Sequence, residues 1–318
     1  MSNAAITPNF SNETVPRTAL YIAMNEFSGS DTNTTLSTIN EHYIALGHAV
    51  TLCEIPRGSS IDRVCGPLVK QAVADGGIVV AVGGDGTVNA LAKLCYTYGA
   101  TLAVIPQGTF NYFARAVDIP TELNAALDVV SNGTVRTVSA GFVGDHLFLN
   151  NASFGLYPRL IKQREKATSR FGRKRFIAAL SALNSIFYDT KTRSIVVKSH
   201  GETEFHRTRM VFVGNNTLQF QNLGLDVGEC TKRDQLGVVI MQPMSRLEIV
   251  RLMWRTLVRN LSFESKLIQF CSDGFEVKTS KARIEVVIDG EIIRCDTPLQ
   301  FRIEARAIRV IVPAGNIS

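Results

Sequence analysis

Three glycines and an aspartate directly follow the unbroken apolar run Ile78–Val82, and a helical pattern begins after them. The segment is Gly83, Gly84, Asp85, Gly86 and Thr87. Because glycines carry no side chain, the backbone N–H groups of such a loop can approach an anion closely, and the N-terminus of a following helix adds a partial positive charge. The carboxylate of Asp85 would repel phosphate unless a cation, a ribose hydroxyl or a positive neighbour mediates. We therefore expect a site for the phosphates of a nucleotide.

Two familiar phosphate loops are excluded at this position. No Gly-Lys-Ser/Thr follows, so the segment is not a Walker A loop, and its spacing does not fit the Gly-x-Gly-x-x-Gly dinucleotide fingerprint. A purely structural alternative is a tight strand-to-helix turn in which Thr87 caps the helix. One glycine would be enough for that turn, whereas three glycines with an aspartate exceed what it needs.

A second polar loop follows the apolar strand pattern Leu102–Ile105. Ligands of open α/β sheets collect where the strands end, which makes Gly108–Asn111 a candidate binding loop. Thr109 and Asn111 can form neutral hydrogen bonds, and Arg115 can contact a phosphate oxygen. The alternative is a loop that enters a short helix with Arg115 in solvent.

The elements that must position these loops change in character along the chain. Up to about residue 140, short apolar strands alternate with helical patterns, which predicts a parallel sheet covered on both faces. From about Thr134 onward most patterns are strands, which indicates a separate antiparallel β-sandwich. The predicted fold class is therefore α/β, with an N-terminal α/β domain and a C-terminal β-sandwich domain. We assign residues 1–17 to a disordered tail, 18–140 to the first domain and 141–298 to the second.

Five segments together resemble a known family. Asn25–Gly29 follows the first strand pattern, Gly83–Thr87 the third and Ile105–Arg115 the fourth, while Asn150–Gly155 and the triplet Asp289–Glu291 come later. In this order they resemble the bacterial diacylglycerol kinase catalytic-domain family, which is related to sphingosine kinases and NAD kinases. The resemblance covers nearly the whole chain. The late triplet alone would be an ordinary signal for a hairpin turn.

The resemblance implies an ATP-dependent lipid kinase that transfers the γ-phosphoryl group to a lipid hydroxyl. The acceptor lipid that it favours is diacylglycerol-like. Mg²⁺ would bridge the phosphates, and the metal candidates are Asp85 and Asp234. Glu291 would accept the hydroxyl proton with Asp289 in support. The β-sandwich would take the lipid, and residues 299–314 would return to the first domain. The residues implied in ATP binding are Asn25, Ser28, Gly29, Gly83, Gly84, Asp85, Gly86, Thr87, Gly108, Thr109, Asn111 and Arg115.

Three residues depart from the family pattern. Glu26 stands in place of the usual proline, Tyr112 in place of a frequent aspartate and Ala90 in place of a frequent glutamate. These departures leave open a nucleotide- or lipid-binding regulator without catalysis. NAD kinase is a second alternative because it shares the glycine-rich motif, although NAD kinases lack the Phe-Ala-Arg segment that ends here at Arg115.

The composition, 45% hydrophobic and 19% charged, is that of an ordinary globular protein. No apolar run approaches the ~20 residues that cross a bilayer, and the start of the chain has no signal-peptide pattern. Six dispersed cysteines without a CxxC pair predict free thiols in a reducing compartment, with neither disulfides nor a zinc site. We therefore expect a cytoplasmic protein.

The net charge of +6 favours an anionic partner. The stretch Arg159–Arg175 holds eight basic residues against one acid, and the helical pattern Leu247–Leu261 carries three arginines at four-residue spacing. Both predict peripheral association with an anionic membrane surface, and the alternative for each is a solvated basic face. Nucleic acid is not expected, because the basic residues are not interleaved with aromatic ones in a recognisable module. The oligomeric state stays open, a homodimer included.

Overall fold

The computed structural model describes residues 18–25, 32–155, 192–222, 224–245, 247–249, 251–252 and 264–315. Ser28, Gly29, the basic stretch Arg159–Arg175 and most of the predicted helix Leu247–Leu261 lie outside these ranges. The chain divides into two compact units. Residues up to Thr137, together with those from Ile308 onward, form the first unit, and Val138–Ala307 form the second.

Strands and helices alternate through the first unit. They are β1 (Leu20–Asn25), α1 (Thr32–Ala45), β2 (Val50–Ile55), α2 (Ile61–Ala74), β3 (Ile78–Gly83), α3 (Asp85–Tyr98), β4 (Thr101–Pro106), α4 (Tyr112–Ala116) and α5 (Leu123–Asn132). The four strands are parallel, in the order β2-β1-β3-β4. All six residues of β3 are buried, so this strand is covered on both faces.

The strand order creates a topological switch point between β1 and β3. From β1 the chain moves outward to β2 and then returns to the other side of β1 to form β3. The connections that leave the carboxyl ends of β1 and β3 therefore diverge, which opens a crevice at the edge where open α/β sheets bind ligands. Asn25 ends β1 and Gly83 ends β3, so both lie at this edge.

The second unit is built mainly from antiparallel strands. They are β5 (Thr134–Val143), β6 (His146–Phe148), β7 (Asn151–Gly155), β8 (Arg193–Ser199), β9 (Glu202–Thr208), β10 (Met210–Gly214), β11 (Leu236–Met241), β12 (Leu267–Ser272), β13 (Gly274–Thr279), β14 (Arg283–Ile288), β15 (Glu291–Asp296) and β16 (Leu299–Val312). A short helix, α6 (Thr217–Gln221), and a 3₁₀ helix (Asp226–Arg233) lie between β10 and β11. Two strands, β5 and β16, extend across the division between the units.

Two layers of strands share one apolar core in the second unit. One layer is a six-stranded sheet in the order β12-β11-β10-β7-β14-β15, and the other contains β16-β13-β8-β9. Phe154 and Val213 of the first layer are buried in the same cluster as Phe275 and Phe301 of the second. The rings of Phe275 and Phe301 stack at 4.7 Å. The predicted fold class, a parallel α/β domain followed by antiparallel β structure, is confirmed.

One pair of cysteines differs from the sequence prediction. Cys230 of the 3₁₀ helix and Cys271 of β12 form a disulfide, with their Cα atoms 5.5 Å apart. The prediction that all six cysteines are free thiols is therefore wrong for this pair. The two residues are 41 positions apart, and only the packing of the 3₁₀ helix beside β12 brings them together.

Three of the four remaining cysteines lead to a prediction about thiol reactivity. Burial raises the pKa of the Cys65 and Cys95 thiols to about 12, so at pH 8 both stay protonated in the folded protein. Cys53 is only half-buried. We expect iodoacetamide at pH 8 to alkylate Cys53 well before the other two, and all three in urea, as measured by peptide mass spectrometry. Equal labelling of the three in the native protein would contradict this prediction.

Candidate active site

The switch point joins the end of β1 to the glycine-rich loop. Asn25 Nδ2 donates a hydrogen bond to Thr87 Oγ1 at 3.4 Å. Thr87 is only 5% exposed, and a Cβ at Gly83 would lie 2.8 Å from Thr87 Oγ1. The absence of a side chain at Gly83 therefore allows Thr87 to pack beneath the loop and reach Asn25.

Helix α3 begins earlier than the sequence pattern indicated. Its first residue is Asp85, and its N-cap is Gly84, which has extended backbone angles. Thr87 is already inside the first turn, so the alternative in which Thr87 caps the helix is wrong. A helix that starts at Asp85 directs its first N–H groups toward the carboxyl edge of the sheet, the geometry that favours an anion.

The loop after β4 packs directly against the glycine-rich loop. A Cβ at Gly108 would lie 2.6 Å from Gly84 Cα, so the two backbones approach too closely for any side chain at Gly108. Asn111 stabilises this loop, because its Oδ1 accepts from Gly108 N and its Nδ2 donates to Gly108 O, both at 2.9 Å. Thr109 next to it is exposed, and so is Arg115 in α4. The side chain of Asn111 is thus used within the loop.

Asp85 links the glycine-rich loop to α4. Its Oδ1 accepts a hydrogen bond from Phe113 N at 3.2 Å. Mg²⁺ in nucleotide sites is commonly held by one or two carboxylates together with phosphate oxygens. The Asp85 carboxylate, at the start of a helix that favours an anion, is therefore a suitable ligand for Mg²⁺. Among the described residues, no three His, Cys, Asp or Glu side chains are grouped so that they could hold a metal without phosphate.

Gly86 differs from the other two glycines of the loop. It is exposed and lies in the first turn of α3, and no described atom comes within 4 Å of a Cβ built at this position. Its φ is not in the left-handed region. Glycine inside a helix costs about 1 kcal/mol relative to alanine. Neither the packing nor the backbone conformation of the described structure therefore requires glycine here.

The triplet Asp289–Glu291 forms a tight hairpin turn between β14 and β15. Ile288 pairs with Glu291, and the two turn residues Asp289 and Gly290 have φ of 44° and 94°. Two positive φ angles in a two-residue turn are typical of type I′ hairpins. Glu291 is the first residue of β15 and is exposed.

The carboxylate of Asp289 holds this turn against the start of β7. Its Oδ2 accepts from Leu149 N at 2.7 Å, and its Oδ1 accepts from Asn150 N at 3.0 Å and Asn151 N at 2.8 Å. The backbone N–H of Asp289 in turn donates to Asn151 O at 2.9 Å. Asp289 therefore positions the backbone next to Glu291, and its carboxylate is occupied by three amides.

A network of amide side chains extends from the same segment, and sequence reasoning missed it. Asn216 Nδ2 donates to Asn150 Oδ1 at 2.8 Å, and Asn151 Nδ2 donates to Gln219 Oε1 at 3.0 Å. Asn216 also caps α6 by accepting from Leu218 N. The available signal was a pair of asparagines directly after the apolar strand β10, where a strand ends and a helix starts.

Asp234, the second metal candidate, is in a different environment. It is exposed at the end of the 3₁₀ helix, with φ of 52°, and its carboxylate accepts a hydrogen bond from the Ser139 hydroxyl. A left-handed aspartate at the end of a helix is a common structural role. Its metal-binding role stays a prediction.

Comparison with known proteins finds a family match in the first part of this chain. Residues 19–143 match the family described as the diacylglycerol kinase catalytic domain. This match contains the glycine-rich loop, the loop after β4 and all of β1–β4. The resemblance predicted from the motifs is confirmed, and with it the prediction of a kinase enzyme.

Individual proteins and one solved structure are also similar to this chain. An uncharacterized protein of Synechocystis sp. is 22% identical over 262 residues, which cover 78% of this chain and 59% of that protein, less than two thirds of its length. A Pseudomonas fluorescens protein named "Probable lipid kinase YegS-like" is 26% identical over 258 residues, covering 78% of this chain and 82% of the relative. A crystal structure of a diacylglycerol kinase from Bacillus anthracis has a TM-score of 0.70 and 18% identity, over 93% of this chain and 97% of that one. That last similarity shows a shared fold.

Proposed function

We propose that this protein is an ATP-dependent lipid kinase that transfers the γ-phosphoryl group of ATP to the hydroxyl of a diacylglycerol-like lipid. The kinase class and the names of the relatives support a lipid acceptor. The observation that carries the ATP site is Gly86. This glycine lies in the first turn of a helix, open to solvent and without a role in packing, so a ligand that approaches the backbone explains it best.

The residues of the first unit would bind and orient the nucleotide. The N–H groups in the first turn of α3 would receive phosphate oxygens, with Gly86 leaving the approach open. Thr109 and Arg115 are exposed beside the loop and could add hydrogen bonds. Asn25 would hold Thr87, and Asn111 would hold the second loop. Mg²⁺, when bound with Asp85 and the phosphates, would neutralise charge on the transferred group.

Glu291 would act on the acceptor. In the proposed step its carboxylate takes the proton of the lipid hydroxyl, the hydroxyl oxygen forms a bond to the γ-phosphorus, and the bond from that phosphorus to the bridging oxygen breaks, which releases ADP. Asp289 would act as a positioning residue, because its carboxylate fixes the turn that carries Glu291.

Replacing Gly86 by alanine should separate ligand binding from folding. We expect the free energy of unfolding to stay the same or rise by up to about 1 kcal/mol, because alanine favours the helix. The KM for ATP should rise by about tenfold or more, because the new Cβ obstructs the phosphates and 1.4 kcal/mol of lost binding corresponds to a factor of ten. Steady-state kinetics and urea unfolding measure the two effects.

Gly66→Ala is the matched control for this prediction. Gly66 also lies inside a helix, α2, with no described atom within 4 Å of a Cβ placed on it, and it is remote in sequence from both loops. It should leave the KM for ATP unchanged, but it should gain less stability, because Gly66 is buried and precedes Pro67, whose ring disfavours helical angles in a residue that carries a Cβ. An equal KM for ATP in the two variants would contradict the phosphate site.

The activity itself is tested with γ-labelled ATP, Mg²⁺ and mixed micelles that contain diacylglycerol, a sphingoid base, phosphatidylglycerol or a prenol. Labelled diacylglycerol would support the proposal, and labelling of another lipid would correct the acceptor. A parallel reaction with NAD tests the NAD kinase alternative, which labelled NADP would establish. ATP binding without any labelled product would favour the regulator without catalysis.

The proposal also requires a membrane surface, because the acceptor lipid resides there. Among the described residues no helix is long and apolar enough to span a membrane. We propose peripheral, electrostatic association on the cytoplasmic side, supported by the net charge of +6. Co-sedimentation with vesicles of increasing phosphatidylglycerol content tests it, and equal binding to purely zwitterionic vesicles would count against it.

A further inference from the structure

A cavity of about 470 Å³ opens in the second unit, at the end of the β14–β15 hairpin opposite its turn. Its apolar and backbone lining comes from β7 and β14, and Glu285 of β14 also contributes. Four cationic side chains complete the lining: Arg193, Lys281, Arg283 and Arg294. The volume is within the range of about 300–1,000 Å³ that is usual for small-molecule sites.

The cations come from separate places in the fold. Arg193 begins β8, Arg283 begins β14, Arg294 lies on β15, and Lys281 precedes β14. Among the described residues of the lining there is one carboxylate, Glu285, which pairs in register with Arg294. Cationic charge therefore exceeds anionic charge in a concave space, where field lines are focused and an anion is attracted.

One of the four cationic side chains already pairs with a carboxylate of the protein. Arg283 Nε contacts Asp296 Oδ1 at 2.5 Å, across the hairpin. Lys281 and Arg294 are both exposed. Arginine and lysine together are the usual ligands of phosphate groups, arginine through its planar fork and lysine as a point charge. These two residues are therefore the main candidates for contact with an anion.

The backbone around the cavity is held in place. Gly155 has φ of 105°, and a Cβ there would collide with the carbonyl oxygen of Arg209, so β7 packs tightly at this end. The Lys281 carbonyl accepts from the hydroxyls of Thr279 at 3.0 Å and Thr297 at 2.5 Å. Lys281 is therefore attached to a fixed segment.

The cavity is separate from the proposed catalytic turn. Arg283 and Ile288 are the two ends of β14, and five residue steps at about 3.4 Å each separate them by about 17 Å. The turn Asp289–Glu291 follows Ile288, at the opposite end from the cavity. A ligand in the cavity would not be the hydroxyl that is phosphorylated.

We propose that this cavity binds a phosphate group, carried by an anionic phospholipid headgroup or by a soluble phosphate ester, at a site distinct from that of phosphoryl transfer. Only the cavity and its charges carry this proposal. A binding measurement that does not need kinase activity tests it, so the site can fail or succeed independently of the proposed function.

Isothermal titration calorimetry tests the site with four probes. The two short-chain lipids are used below their critical micelle concentrations, and the two soluble phosphate compounds are used in simple buffer. The four probes are dihexanoylphosphatidylglycerol, glycerol 3-phosphate, inorganic phosphate and dihexanoylphosphatidylcholine. Binding of the phosphatidylglycerol alone identifies a lipid headgroup, and binding of glycerol 3-phosphate or inorganic phosphate identifies a soluble ligand. Either result supports the site. Equal binding of the phosphatidylcholine, or no binding of any phosphate compound, overturns it.

Paired variants show whether the cavity is the site. Lys281→Gln/Arg294→Gln should weaken binding by tenfold or more. Lys278→Gln/Arg207→Gln removes the same charge from exposed positions on β13 and β9, which do not line the cavity, and should change binding by less than twofold. An equal loss in both double variants would mean attraction by net charge alone and would overturn the proposal.

Discussion

Glu291→Gln should lower kcat for phosphoryl transfer to lipid by about 10²–10⁴-fold, the usual contribution of a general base. Glutamine has the same size and can still hydrogen-bond a hydroxyl, but it cannot accept the proton at neutral pH. Glu291 is exposed at the start of β15, so the substitution should leave the core unchanged. We expect the KM for ATP to change little, because the glutamate acts on the acceptor.

The chain contains a matched control for this variant. Glu202 follows the turn His200-Gly201, whose two φ angles are also positive, and it pairs with Ser199 as Glu291 pairs with Ile288. Glu202→Gln therefore makes the same change in an equivalent hairpin and should retain full activity. Transfer that persists at the wild-type rate in Glu291→Gln would remove this residue as the base while leaving the kinase in place.

Asp289→Ala should lower the free energy of unfolding by about 2–4 kcal/mol. The substitution removes the acceptor of three backbone N–H groups in residues 149–151, and hydrogen bonds to charged groups are worth more than neutral ones. It also places alanine at a left-handed position, which costs about 1–2 kcal/mol of the total. Urea unfolding with linear extrapolation measures the loss.

Two further variants divide this loss into its causes. Asp289→Asn keeps a residue that tolerates the left-handed conformation and one acceptor oxygen, so its loss should be smaller than that of alanine. His200→Ala has the same turn position at φ of 50°, and its exposed side chain makes only surface contacts with Asp273 and Ser199, which are worth little, so it reports mainly the backbone cost. A loss in Asp289→Ala no larger than in His200→Ala would show that the three amide contacts contribute nothing to stability.

The parts of the fold that could be predicted from the sequence are the elements whose consecutive residues are buried to a similar degree. Strands β1, β3 and β4 are buried on both faces, so their sequences are continuous apolar runs that predict strands. Strand β9 has no apolar pattern that would predict it, because it is an edge strand with five of its seven residues exposed. An edge strand that faces solvent needs no apolar alternation, since its pairing with β8 alone forms it.

The candidate site was predicted only in part for a related reason. Residue types and local spacing indicated the glycine-rich loop and the hairpin triplet. They indicated that Asn111 binds the nucleotide, which stays a prediction, but they did not indicate that its amide bonds to Gly108 within its own loop. They also did not indicate that Asn216 bonds to Asn150, because the two residues are 66 positions apart. Side-chain partners at that separation depend on strand register, which local composition does not encode.

By itself, the sequence determined the local conformations and the enzyme class: a buried strand that runs into a phosphate-type loop, a two-residue hairpin turn and the motifs of a kinase. The tertiary structure decided which of these segments meet. It placed Gly108 against Gly84, bound Asp289 to amides about 140 residues earlier, and paired Cys230 with Cys271. The physical reason is that periodicity reports the burial of neighbouring residues along one element, while such contacts arise from the order and register in which distant strands pair.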